Sequence, residues 1–250
     1  MTEFLNKTII SHFYNEEYLL PWFLNHHKRY FTHGIMVDYN STDNSVDIIK
    51  DICPTWEIIK SRNSDFNARA CDNEIKDIEQ TISSGCKMCL NVTEFFIGNI
   101  DKDFKNTDVV YVQSYGMVDK INDIIHPKHN ECLIKQRYYG VSYKNREILS
   151  MCQRCIHTKP YMDYKVGRHF YKKQEHTSKN AIILKYNLSP FNNFFKKRIL
   201  QIQTRVPSSD IKGGKGVQHI LTENELETKF LKYSQFAEDL RPVIKQYYPW

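Results

Sequence analysis

KTIISHF at Lys7–Phe13, HGIMVDY at His33–Tyr39 and TWEIIK at Thr55–Lys60 are three short β-branched, apolar runs, and what separates them decides the fold. Glu16–Arg29 sets Leu19, Leu20, Trp22, Phe23 and His26 on one helical stripe, with Asn15 placed as its N-cap. Ser45–Ile52 reads as the next helix, and Ala68–Ser83 as a third, amphipathic through Ile75, Ile78 and Ile82. A fourth apolar run, Met88–Ile97, follows. Strands alternating with helices over the first hundred residues predict an α/β fold with a mostly parallel sheet flanked by helices.

Beyond residue 100 the pattern is less regular. Asp108–Tyr115, Glu131–Arg137 and Ile182–Tyr186 read as strands, and Pro190–Ile199 and Glu223–Lys245 as helices. The last of these opens with Thr222 and has Glu225 three residues on, the pattern of a capping box. Val206–Gln218 clusters glycines and predicts a mobile loop. With no repeat and no linker, the 250 residues are expected to form one domain. Residues 1–100 would be one half and 101–205 the other, with 206–250 a loop and terminal helix.

Composition excludes several classes. At 41% apolar and 26% charged the chain is neither disordered nor low in complexity. It has no run of eighteen apolar residues and no basic-then-apolar leader, which predicts a cytoplasmic protein without a membrane span. The net charge of +6 is unevenly placed: residues 1–110 carry a net −6 and residues 165–205 a net +9. So dense a basic stretch suits an anionic ligand. Seven cysteines, an odd number, do not form a fully paired framework. Cys86/Cys89 and Cys152/Cys155 have CxxC spacing. Residues three apart on a strand face opposite ways, however, which disfavours zinc at the first pair.

In an open α/β sheet, ligands bind beyond the carboxyl ends of the strands. Three polar clusters fall at such ends: His12–Glu17, Asp38–Asp43 and Asn91–Glu94. Asn15-Glu16-Glu17-x-Leu-x-Pro-Trp22, then His26-His27, then Asp38-Tyr-Asn-Ser-Thr-Asp43, resembles the opening of GT-A-fold glycosyltransferases of the family 2-like group. That group reads "NE…LPEW…HH" followed by "YDNNSTDGT". Cys89-Leu-Asn-Val-Thr-Glu94-Phe95 is similar to its "LDVDEFL", and Lys185–Lys197 (KYNLSPFNNFFKK) to its later "HYxxKSxEEFxxK". In the latter, Tyr186, Phe194 and Lys197 match, while Lys185 replaces the His.

The resemblance implies a GT-A-like (Rossmann-like) sheet, a nucleoside-diphosphate sugar as donor, and a glycan, lipid or protein acceptor. It places Asn15, Asp38, Asn40, Asp43, Arg62, Arg69, Asn91, Thr93, Arg168 and Lys185 on the donor, with Asp38 at the nucleobase or ribose. The group's Asp-x-Asp binds Mn²⁺ or Mg²⁺, but here those positions are Asn91 and Thr93, which supply no carboxylate. Glu94 and His169 are the remaining candidates for a metal. Two readings stay open. Lys185, Arg168 and their basic neighbours stabilise the leaving diphosphate without a metal, or the fold binds a nucleotide sugar without turnover. An inverting reaction also needs a carboxylate base, for which Asp119 and then Asp163 are the candidates. A nucleic-acid module built on Phe170, Tyr171 and Tyr186 is the competing class. No RNA-recognition, KH or helix-turn-helix signature supports it, so nucleic acid is not the expected partner.

Overall fold

The computed structural model describes residues 6–101, 103–123, 125–141, 154–168, 176–214, 216 and 220–249. The expected alternation is present in the first half: β1 (Lys7–Phe13), α1 (Leu20–His27), β2 (His33–Asp38), α2 (Ser45–Ile52), β3 (Glu57–Lys60), α3 (Ala68–Thr81) and β4 (Cys86–Cys89). Then come β5 (Glu94–Gly98), β6 (Val109–Val118), α4 (Leu133–Gln136), β7 (Tyr139–Val141), β8 (Arg154–His157) and β9 (Thr177–Leu188). The chain closes with α5 (Asn193–Ile202), α6 (Ser208–Lys212), α7 (Glu223–Ser234), β10 (Glu238–Asp239) and α8 (Arg241–Ile244).

All ten described strands join one mixed sheet in an α/β fold. Its main path runs β10-β7-β6-β8-β4-β1-β2-β3, with β9 pairing β5 and β6 off that path. The block β4-β1-β2-β3 is parallel throughout. Beyond it β8, β7, β10 and β5 pair antiparallel, and β9 runs parallel to β6. Parallel strands are buried on both faces, so alternate residues enter two cores. Ile9, Met36 and Met88 join the core that holds Phe23 and Leu24 of α1 and Ile49 of α2. Ile10, Val37 and Cys89 join the one under Cys71 and Ile75 of α3. Each fully buried Ile or Leu contributes about 1.5–3 kcal/mol. Cys86 and Cys89 fall in different cores, on opposite faces, and do not converge on a zinc ion. Cys152 lies outside the described residues.

Gly34 of β2 shows how tightly one face is packed. A Cβ there would come within 2.3 Å of the Trp56 ring, which lies flat against the strand just ahead of β3. No helix among the described residues is long and apolar enough to cross a membrane.

Four elements differ from the sequence expectation. α1 begins at Leu20 rather than Glu16, and Asn15 does not cap it. Asn15 takes a left-handed φ of 50°, and the amides of Glu16 and Glu17 bond Ser45 Oγ and Asp43 Oδ2 at 2.8 and 3.0 Å. Leu19 N and Leu20 N both donate to Glu16 O at 3.0 Å, so a turn precedes the helix. The expected strand Met88–Ile97 breaks in two, because Glu94 N turns back to Asn91 O at 2.8 Å. Glu131–Arg137 contains the short helix α4 instead of a strand, closed by Arg137 N donating to Leu133 O at 2.8 Å. The long terminal helix stops at Ser234, where the chain extends into β10 and pairs with β7. Its expected start holds: Thr222 and Glu225 form a reciprocal capping box. Within the glycine-rich stretch, Ser208–Lys212 forms α6.

Candidate functional site

Because β1 lies between β2 and β4, the chain leaves it in opposite directions on its two sides. The carboxyl ends of β1 and β4 therefore form a topological switch point, where a doubly wound sheet places its ligand. α1 and α2 pack on one face and α3 on the other, which completes the doubly wound arrangement around this point.

Arg168 bridges the residues at this switch point. Its Nη2 donates to Asn91 Oδ1 at 2.8 Å, and its Nη1 lies 3.4 Å from His12 Nδ1 and 3.6 Å from Asp72 Oδ1. The residue is buried, with a left-handed φ of 58°. Arg168 Nε is buried without a hydrogen-bond partner among the described residues, while Asp72 Oδ1 and His12 Nε2 have only the long contacts to Arg168 Nη1 at 3.6 Å and to Glu74 at 3.5 Å. Buried polar atoms are normally satisfied, so Arg168 Nε has hydrogen-bonding capacity left for a polar ligand or ordered water.

Glu94 anchors this arrangement. It is fully buried, and its two oxygens accept Arg154 Nε and Nη2, each at 2.9 Å. Asn91 N donates to it at 2.8 Å, and Lys185 Nζ stands 3.5 Å away. Burial alone would raise this carboxyl, but Arg154 and Lys185 outweigh it and hold it at about 2. The remaining guanidinium nitrogen of Arg154 donates to Gly167 O and Arg168 O at 2.7 and 2.8 Å. A single buried carboxylate thus fixes Arg154, and Arg154 fixes the turn that presents Arg168.

A divalent cation does not fit these residues. The Asn91 carbonyl oxygen accepts from Arg168, Thr93 is buried and carries no charge, and Glu94 faces cations. No group of three or more His, Cys, Asp or Glu among the described residues is arranged to hold a metal. Glu94, one of the expected metal ligands, has both carboxylate oxygens bound by the Arg154 guanidinium. His169, the other metal candidate, lies outside the described residues, as do Phe170 and Tyr171.

Beside Arg168, a second network joins the ends of β1, β2 and β3. Glu74 of α3 accepts from Ser61 Oγ at 2.8 Å, Arg62 N at 2.7 Å, Asn63 Nδ2 at 3.1 Å and Tyr39 OH at 3.0 Å. His12 Nε2 lies 3.5 Å from it. Burial pushes His12 down to about 4, so its ring is neutral at neutral pH. Glu74 is held at about 2: burial would raise it, but the bonds from His12, Arg62 N and Ser61 prevail.

Several expected donor contacts serve the loops. Asp38 Oδ1 accepts from Ser41 N at 2.8 Å, a turn at the end of β2. Asp43 accepts from Ser45 N and Glu17 N, both at 3.0 Å. Asn15 Oδ1 accepts from Thr42 N at 2.7 Å, and Asn15 Nδ2 reaches Gln201 of α5 at 3.3 Å. Asn40 is exposed, with a left-handed φ of 60°. Arg62 forms an exposed ion pair with Asp77. Arg69 is exposed in the first turn of α3, where its charge bears on Asp72.

The two candidate bases differ sharply. Asp163 is 82% exposed and pairs with Lys76 of α3 at 2.8 Å. Asp119 is buried just beyond β6, accepting from Ser189 Oγ and from Phe191 N at 2.8 Å, with Arg137 Nε at 3.4 Å. Burial raises it to about 6 against those partners. Tyr186, the remaining aromatic offered to nucleic acid, is fully buried with its OH on Arg137 O at 3.0 Å, so no base stacks on it.

Sequence reasoning missed Arg154, Asp72, Glu74 and Arg205. Arg205 donates to Tyr39 O and Ser64 O at 3.0 and 2.7 Å and sits 4.5 Å over the Tyr14 ring. It carries the segment before α6 across the ends of β2 and β3. The sole signal for Arg168 and Arg205 was the density of the basic stretch.

Solved structures similar to this chain include TarS of S. aureus, residues 1–349, at 14% identity and a TM-score of 0.39 over 91% of this chain and 71% of that one. The same protein in complex with UDP gives 13% and 0.43, covering 91% and 70%. HddC from Yersinia pseudotuberculosis gives 10% and 0.39, covering 78% of this chain and 98% of that one. No protein-family model matches the chain, and neither does any curated protein.

Proposed function

We propose that the chain is a nucleotide-sugar glycosyltransferase of GT-A type, and that cationic side chains take the place of the divalent metal. The observation that carries this reading is the row of cations at the switch point, Arg168, Arg154 and Lys185, around buried Glu94, whose two oxygens are already engaged by Arg154, with Asp72 beside Arg168. When the bond from the sugar's anomeric carbon to the diphosphate breaks, negative charge develops on the leaving oxygen. Pre-positioned positive groups stabilise that charge. Arg168 is held by Asn91 and Asp72, so it need not reorganise when the charge appears.

In this reading the acceptor hydroxyl attacks the anomeric carbon and passes its proton to a carboxylate, and Asp119 takes that role over Asp163. A carboxyl near 6 is a better base than an ordinary one. Asp163 is an exposed acid in a surface ion pair. A second reading, donor binding without turnover, is favoured by one feature: both Asp119 oxygens already accept hydrogen bonds.

The test is donor turnover over a panel of UDP-, GDP-, CMP- and dTDP-sugars, with and without EDTA. Turnover of one donor that EDTA leaves unchanged, and that Arg168→Gln lowers by roughly a hundredfold or more, supports the proposal. Turnover abolished by EDTA refutes the metal-free mechanism. Donor binding without turnover of any sugar selects the second reading.

A further inference from the structure

α5 carries two side chains of the late sequence motif, Phe194 and Lys197, that the reading above does not use. Phe194 is 62% exposed, whereas its neighbour Phe195 is fully buried in the main core. The exposed ring is nonetheless held: it stacks on Tyr18 with centroids 5.5 Å apart and planes 18° from parallel. Tyr18 is itself fixed. Its ring meets Trp22 edge-on at 5.5 Å and His129 at 5.8 Å, and its OH accepts from Asn192 Nδ2 at 2.6 Å. One face of Phe194 is therefore covered by a braced partner, and the opposite face is open to solvent.

The same helix borders an open hollow of about 430 Å³, lined by Asn193, Lys196, Lys197, Leu200 and Gln201 of α5 and Glu223 of α7. Phe194 precedes Lys197 by three positions and Gln201 by seven, so helical periodicity sets its ring at the edge of the lining face. Lys196 is taken by Glu223 and Glu227, each at 2.8 Å. Asn193 and Lys197 are exposed and bond no described residue, so an amide and an ammonium remain for a ligand. Two contacts join this part of the molecule to the site. Gln201 exchanges bonds with Asn15 Nδ2 and Asn15 O, at 3.3 and 3.1 Å, just past the end of β1. Phe191 N, three residues before Phe194, donates to the candidate base Asp119 at 2.8 Å.

We propose that Phe194 is a stacking platform for a sugar ring of the acceptor, with Asn193 and Lys197 donating to its hydroxyls. The proposal rests on the transferase reading and deepens it, because it makes the acceptor a glycan rather than a lipid or a protein. A pyranose has an apolar C–H face and a rim of hydroxyls, and an open aromatic face beside an amide and an ammonium matches both. A polyanion would meet Glu223 and Glu227, whose side chains beside the hollow are 58% and 48% exposed. An alkyl chain would need a dry slot, and Leu200 is the sole apolar side chain of the lining.

The test is saturation-transfer NMR and titration of the full chain with a panel of uncharged methyl glycosides and disaccharides. Octyl glucoside and a single-stranded oligonucleotide represent the other occupants. Wild type is compared with Phe194→Ala, Phe194→Trp and Phe236→Ala, the last an exposed aromatic just beyond α7. Wild type is expected to bind at least one saccharide, with transfer strongest to the ring C–H protons. Phe194→Ala should weaken it roughly five- to tenfold. Phe194→Trp should retain the affinity and Phe236→Ala should leave it unchanged. No saccharide bound by the wild type, wild-type affinity in Phe194→Ala, or transfer to the octyl chain or the oligonucleotide alone overturns the platform. Saccharide binding that depends on Phe194 while no sugar is transferred sustains the platform and refutes only the transferase. Transfer to a glycan with an acceptor KM that Phe194→Ala leaves unaltered does the reverse.

Discussion

Two buried glutamates mark the two ends of β4, and they are satisfied in opposite ways. Glu79, level with the strand's amino end, accepts from the Tyr164 hydroxyl, from Met162 N at 2.9 Å and from His157 at 3.1 Å. Lys87 nearby turns its ammonium to the carbonyls of Glu79 and Pro160 at 3.1 and 3.0 Å. That cluster closes the structure, pinning the segment after β8 against α3. Glu94, just past the carboxyl end, is bound by Arg154 and approached by Lys185, with Arg168 one residue's reach away through Asn91. At the first end hydroxyl, amide and imidazole donors meet the carboxylate, with the Lys87 ammonium close by. At the second, Arg154, Arg168 and Lys185 gather around Glu94, with Asp72 beside Arg168 and Glu74 beside His12, so charged groups answer the carboxylates there.

Replacing each carboxylate with its amide is the strongest way to break this contrast. Glu94→Gln leaves Arg154 and Lys185 without their counter-charge in a buried site, and should cost about 3–5 kcal/mol in urea unfolding. Glu79→Gln keeps an acceptor for neutral donors and should cost about 1–3 kcal/mol. Equal losses, or the reverse ranking, would remove the distinction between the two ends.

Acid sharpens it next. Glu94 is depressed to about 2 in the folded protein, so its stabilisation is complete above the ordinary glutamate range near 4.5 and is lost as pH falls from there through about 2. His12 and His26 are each lowered to about 4 from 6.5. Between those values the unfolded chain binds the extra protons, so stability should already fall as pH drops from 6.5 to 4. Urea midpoints across pH 3–8 are expected to decline in two stages, the histidine stage first. A flat profile from pH 7 to 4 would contradict the neutral, buried state of these rings.

Smaller effects test the scaffold that carries both ends. Gly34→Ala drives a methyl into the Trp56 ring and should cost about 1–3 kcal/mol in thermal unfolding, whereas an exposed site would show none. Thr222→Ala removes one half of the box that starts α7 and should cost about 1 kcal/mol.

The first half of the fold was legible in the sequence because apolar periodicity switches cleanly between strand and helix, and β1 ends at Phe13 as its pattern requires. The misread elements share one cause. The turn ahead of α1 is tied to the β2–α2 loop through the amides of Glu16 and Glu17, contacts across more than twenty-five residues that no local pattern records. The same holds for the site. Asn91 was visible as a polar residue at a strand end, and Arg168 and Lys185 as cations of the basic stretch. What joins them was not: Arg154 pairs with Glu94 across sixty residues, and in the strand Arg-Cys-Ile-His its burial is invisible to periodicity. Glu74 sits on α3 among other charges, and nothing local distinguishes it from the exposed Asp77.

The central claim is that cations, rather than a metal held by Glu94, meet the diphosphate. Its most direct test is calorimetric titration of the wild-type chain with its preferred nucleoside diphosphate, once in EDTA and once in saturating Mn²⁺. The account predicts the same affinity in both buffers. Binding that appears only with Mn²⁺, or tightens more than about tenfold with it, would contradict the account.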